Sequence, residues 1–126
     1  MTDKPAKRVL LVEDEDTVRL IGADMLSDAG YQVIEAATAD EALRVLQEVD
    51  EVDVLFTDVR MPGSMDGLEL AALVHDHWPK VKILVTSGDH RPGSEDLPDN
   101  GRFLPKPYSL RTMCKQVDDL AAQSPF

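Results

Sequence analysis

Five polar residues stand directly behind short apolar runs: Glu13 and Asp14 behind Arg8–Val12, Asp58 behind Val52–Thr57, Thr86 behind Val81–Val85, and Lys106 behind Arg102–Pro105. If those runs are adjacent parallel strands, the carboxylates of Glu13, Asp14 and Asp58 converge at one edge. Two unit charges ~4 Å apart repel by about 4 kcal/mol at an effective dielectric of about 20. Such a cluster calls for a bound cation or a raised pKa. Hard oxygen ligands in small number suit Mg2+, which keeps several waters and accepts phosphate oxygens. The chemistry that fits is metal-assisted phosphoryl transfer. Asp58 is the nucleophile, forming an acyl phosphate. Mg2+ is held by Asp14 and by Glu13, directly or through water. Lys106 places a compact positive charge at a phosphate oxygen. Thr86 can donate its hydroxyl to another, so its position would report the modification.

Taken singly, each residue has a plainer reading. Acidic residues behind a strand often only open a helix, where the dipole favours them. A lone Asp or Lys is surface decoration, and a lone Thr a turn residue. The common position behind strand ends is what sets these residues apart.

The elements that must position them alternate along the chain. After Arg8–Val12, residues 15–29 place Val18, Ile21, Met25 and Ala29 at helical spacing, and Gly30 stops the helix. Tyr31–Glu35 is a second strand. Thr38 and Glu41 form a capping-box pattern opening a helix that buries Ala42, Leu43, Leu46 and Val49. After Val52–Thr57, Asp66 and Glu69 open a helix with Leu70, Leu73 and Val74 on one face, ended by Pro79. Val81–Val85 and the weaker Arg102–Pro105 follow. Ser109 caps a last helix with Leu110, Met113, Val117 and Leu120. Strands of mostly apolar residues alternating with helices predict an α/β fold, a doubly wound parallel sheet buried on both faces. Functional groups in such sheets gather beyond the carboxyl ends of the strands.

Composition bounds the rest. At 126 residues the chain is one domain by length, with a core over about 7–122. Apolar residues at 43% and charged residues at 29% describe a globular chain. No apolar run approaches the roughly 18 residues of a membrane span, and Met1–Pro5 lacks a secretory signal. The single cysteine, Cys114, excludes an internal disulfide and fits the cytoplasm. Acidic residues outnumber basic ones 24 to 13, and the net charge of −11 opposes attraction to nucleic acid or anionic membranes. Partners are expected to be proteins and metal ions.

Over essentially its whole length the sequence resembles the receiver domains of two-component response regulators. The matching stretches are Val9–Asp14, Thr57-Asp58-Val59-Arg60-Met61-Pro62, Asp66-Gly67, Val85-Thr86-Ser87-Gly88 and Lys106-Pro107. The resemblance implies a flavodoxin-like, five-stranded sheet ordered 2-1-3-4-5. It implies that Asp58 receives phosphate from the histidine of a sensor kinase or a histidine phosphotransfer protein. It further implies that the backbone carbonyl of Arg60 completes the metal site. Phe103, three residues before Lys106, takes the place of the aromatic switch partner of Thr86, and Arg60 and Gly88 flank the site where the family tunes the lifetime of its phosphate. Output would pass to a downstream protein, from a monomer or weak homodimer.

The sequence also departs from the pattern. Glu13 replaces the commoner Asp, and the loop Met61–Gly67 is one residue longer than usual. Where the family places a fourth helix, residues 87–102 carry two prolines and three glycines, and Leu97 is their only large aliphatic residue. An interior proline costs a helix about 3 kcal/mol, so a loop or at most one turn is expected there. No output domain is expected in residues 123–126, which follow the last helix.

Rival functions fit less well. Asp14-Glu15-Asp16 is a literal Asp-x-Asp, as in phosphatases of the haloacid dehalogenase type, but that reading leaves Asp58 without a role. A flavin-binding module would need a glycine-rich phosphate loop, where this chain has Glu13–Asp16. A receiver-shaped interaction module that never takes phosphate would not need the full set of site residues.

Overall fold

The computed structural model describes residues 7–49, 51–63, 65–88, 97 and 101–122. Its elements are β1 (Arg8–Val12), α1 (Asp16–Asp28), β2 (Gln32–Ala36), α2 (Ala39–Glu48), β3 (Val54–Asp58), α3 (Gly67–His77), β4 (Lys82–Ser87), β5 (Gly101–Pro105) and α4 (Leu110–Ala121). All strand pairs are parallel, and the 5-stranded sheet has the order β2-β1-β3-β4-β5. That is the order implied by the resemblance.

The strand sequences are apolar on both faces because both faces are covered. Leu10, Val12, Leu55, Ile83 and Val85 pack under α2 and α3 with Ala42, Leu46, Leu70 and Val74. The alternate residues Val9, Leu11, Val54, Phe56, Leu84 and Leu104 pack under α1 and α4 with Leu26, Met113, Val117 and Leu120. This period of two settles the site. Counting on from Leu11, Phe56, Leu84 and Leu104, the residues Glu13, Asp58, Thr86 and Lys106 share one parity.

Helix starts follow the capping chemistry. Thr38 accepts from Glu41 N at 3.1 Å at the start of α2. At α3, Asp66 and Glu69 form a full reciprocal capping box. Gly30, at φ +101°, ends the first helical segment.

Three expectations need correction. The buried face of α1 is Gly22, Ala23 and Leu26, while Val18 and Ile21 are 37% and 47% exposed. A Cβ at Gly22 would lie 3.3 Å from Leu11 Cδ2, so α1 approaches the sheet on its small residues rather than its large ones. Second, β4 continues through Thr86 to Ser87, both buried, because the ladder to β5 carries on past the apolar run. Third, β2 runs Gln32–Ala36, one residue later than Tyr31–Glu35. The expected loop at 87–102 falls mostly on residues outside those described. No helix among the described residues is long and apolar enough to cross a membrane.

Candidate phosphoryl acceptor site

The carboxyl ends of β1, β3, β4 and β5 lie side by side, and the structure brings together the residues read from the sequence. One carboxylate oxygen from each of Glu13, Asp14 and Asp58 lies within 4.8 Å of the others. Asp58 and Glu13 are buried, 7% and 6% exposed, whereas Asp14 faces solvent. One side of the cluster is therefore closed by protein and the other open to a ligand.

Lys106 Nζ lies 2.6 Å from Asp58 Oδ2 and 3.9 Å from Glu13 Oε1. Burial works against the lysine's charge, but the hydrogen bond and charge of Asp58, with the charge of Glu13, outweigh it and hold its pKa above the usual value. Arg60 N donates to Asp58 Oδ1 at 3.3 Å. Glu13 accepts from Glu15 N at 3.0 Å. Burial raises the Glu13 pKa to about 7; the Glu15 hydrogen bond and the Lys106 charge pull against this, while Asp58 and Asp14 add to it. A carboxyl that resists ionising beside two others is what crowded carboxylates produce, and a bound cation would relieve it. The donor set, carboxylate oxygens alone, fits a hard divalent ion such as Mg2+ rather than a soft metal.

Thr86 pairs with Asp58 in the ladder and is buried. Its hydroxyl donates to the Leu104 carbonyl at 2.6 Å, tying β4 to β5. Phe103 pairs with Val85 and packs with it under the α2/α3 face, on the opposite parity to Thr86.

Three contributors escaped the sequence reading. Tyr108 lines, with Asp58, Thr86, Val18 and Met113, a void of about 10 Å³ behind the acceptor, and its ring lies 6.1 Å from that of Phe56. Burial raises its pKa, partly offset by Lys106. The parity of β5, which runs from Leu104 through Lys106 to Tyr108, is the signal that could have found it. Gly67 is packed so closely that a Cβ would lie 2.0 Å from the Asp58 carbonyl oxygen, while its N–H donates to Val59 O at 2.8 Å. The motif Asp66-Gly67 was visible, but its reason was not. Arg19 reaches back to the Glu13 carbonyl at 2.8 Å.

Residues 9–118 match the family model of the response regulator receiver domain. The chain is 40% identical over 116 residues to the sensor kinase CckA of Brucella abortus (strain 2308), covering 89% of this chain and 12% of that kinase. It is 34% identical over 118 residues to the response regulator receiver protein CpdR of the same organism, covering 90% of this chain and 96% of that protein. The crystal structure of the receiver domain from the hybrid histidine kinase CckA matches with a TM-score of 0.78 at 35% identity, over 90% of this chain and 98% of that one. The chain belongs to the response regulator receiver domain family of two-component signalling.

Proposed function

We propose that Asp58 accepts a phosphoryl group from the phosphohistidine of a sensor kinase or histidine phosphotransfer protein. An Asp58 carboxylate oxygen attacks phosphorus, a P–O bond forms, and the P–N bond to the donor imidazole breaks with its electron pair returning to nitrogen. The observation that carries this reading is the single edge at which the buried Asp58 meets Lys106 at 2.6 Å and the carboxylates of Glu13 and Asp14 within 4.8 Å.

Glu13, Asp14 and Asp58, with the Arg60 carbonyl, would hold Mg2+. When bound there, the ion supplies positive charge to the oxygens of the transferring group. Lys106 holds the Asp58 carboxylate in place beforehand and is positioned to take a phosphate oxygen afterwards. Val59 N, bonded to Thr86 O at 2.9 Å, keeps the acceptor strand against β4. Arg60 and Gly88 flank the acceptor and bear on how long the phosphoryl group persists.

The donor must reach the open side of the cluster. Soon after Asp14 in the chain, α1 presents Val18, Leu20 and Ile21, 37%, 57% and 47% exposed, an apolar surface suited to a helix of the donor protein. After transfer, the Thr86 hydroxyl leaves the Leu104 carbonyl for a phosphate oxygen, which frees β5 and passes the change to Phe103 and to a downstream protein. The chain acts in the cytoplasm as a phosphoacceptor, monomeric or weakly dimeric, and not as a turnover enzyme.

The test is incubation with Mg2+ and a small acyl phosphate, followed by intact mass. One phosphoryl adduct in the wild type, absent in Asp58→Asn, is the expected result. No adduct would favour an unphosphorylated interaction module, and phosphate turnover dependent on Asp14 or Asp16 would favour a phosphatase.

A further inference from the structure

Carboxylates that share an ion need a fixed backbone beneath them. We infer that Arg19 is the positioning residue of the Glu13–Asp14 pair: by holding the Glu13 carbonyl it sets the peptide plane that carries Asp14. This rests on the metal-assisted reading given above.

The arginine fork is engaged on three sides. Nη1 donates to Glu13 O at 2.8 Å, Nη2 to Asp16 Oδ1 at 2.7 Å, and Nε to Glu35 Oε1 at 3.3 Å. Its side chain is 17% exposed, against 88% for Asp16 and 42% for Glu35. One planar group thus joins the end of β1, the first turn of α1 and the penultimate residue of β2.

The local structure needs such a tie. Glu15, the N-cap of α1, makes no side-chain cap bond. The loop is instead held at Glu13 N, which donates to Ala36 O at 3.0 Å, and by the Glu13 carboxylate, which accepts from Glu15 N. The Glu13 carbonyl belongs to the next peptide unit, the one that leads to Asp14, and Arg19 donates to it. Ion pairs with exposed carboxylates contribute little by themselves. The bond to a main-chain oxygen between two carboxylate-bearing residues is what a solvated surface pair would not require. Lysine cannot replace the fork, because an ammonium on a flexible stem does not span three acceptors in one plane.

The sign of the effect separates positioning from charge. Removing a cation near the cluster should tighten binding of another cation if charge alone mattered. If Arg19 positions the pair, its removal weakens binding. Groups behind metal ligands typically contribute about 10-fold or more in affinity.

The experiment is a Mg2+ titration followed by the amide NMR shifts of residues 13–15 and 58. Arg19→Ala is expected to bind about 10-fold more weakly than the wild type. Arg19→Lys, which keeps the charge, should recover only part of that loss. Glu35→Gln, which removes only the charge of an outer partner, should stay within about twofold, far short of that 10-fold change. Equal or tighter binding in Arg19→Ala, or full recovery in Arg19→Lys, would overturn the inference and leave the acceptor role of Asp58 standing. A wild-type chain whose shifts ignore Mg2+ would remove the metal reading and this inference together.

Discussion

The loop after β1 and the end of β3 bring carboxylates to the same edge, yet the loops that follow the two strands are anchored in different ways. The first, Glu13–Glu15, leads into a helix with no side-chain cap and is held by polar ties to Arg19, Ala36 and the Glu13 carboxylate. The second leads into α3 through a complete capping box and is pressed against the acceptor strand by Gly67. Charge and hydrogen bonding fix one side of the site; close packing of backbone on backbone fixes the other. The difference suits their tasks. Asp14 must stay exposed to a ligand, whereas Asp58 must stay still.

The sharpest way to break this comparison is at Gly67. Alanine there places a carbon 2.0 Å from the Asp58 carbonyl oxygen, and the obstacle is main chain that cannot swing aside. Gly67→Ala is expected to lower the unfolding free energy by about 3 kcal/mol, measured by urea denaturation, and to impair phosphoryl acceptance at Asp58. A change below about 0.5 kcal/mol, the range of an ordinary surface substitution, would mean that the approach is not tight.

Removing the cap beside it should have a smaller effect. Asp66→Ala leaves Glu69 N without its acceptor and is expected to cost about 1 kcal/mol, with phosphoryl acceptance retained. If it matched Gly67→Ala in both readouts, capping and close packing would not be separable in this loop.

An effect no larger than that of Asp66→Ala belongs to the polar loop and depends on pH. The folded-state pKa of Glu13, about 7, lies above its ordinary 4.5 because burial disfavours the ion. A raised pKa means that the folded state holds the proton more tightly. The stabilisation is complete below the ordinary value and is lost as pH rises through about 7. Metal-free wild type should therefore lose about 1 kcal/mol relative to Glu13→Gln between about pH 5 and 8, well short of the full shift once solvent screening is allowed for. Urea midpoints of both chains in a chelating buffer check this. Parallel pH profiles would place Glu13 in water rather than in the buried cluster.

Much of the site was legible because strand ends are legible. Apolar runs broken by Glu13, Asp58 and Lys106 place those residues at the sheet's edge, and alternation along each strand also places them on one face. Residues that act through others were harder to see. Arg19 reads as one more charged residue in a helix, since its partner is a main-chain oxygen that no pattern of side chains reveals. Gly67 reads as a helix start, because the 2.0 Å approach joins residues on separate elements. Thr86 looked like the residue after a strand because it is polar, yet the ladder continues through it to Ser87. The large residues Val18 and Ile21 drew the apolar face of α1 to the wrong side, since small Gly22 and Ala23 are what fit against the sheet.

The central claim concerns one covalent bond on one residue. An acyl phosphate can be trapped where it forms, because borohydride reduces an aspartyl phosphate to homoserine. After treatment with Mg2+ and a small acyl phosphate, then borohydride, peptide mapping should find homoserine at position 58, and none in a sample prepared without the phosphate donor. Homoserine at Asp14 or Asp16 instead, or at no position, would contradict the assignment of Asp58 as the acceptor.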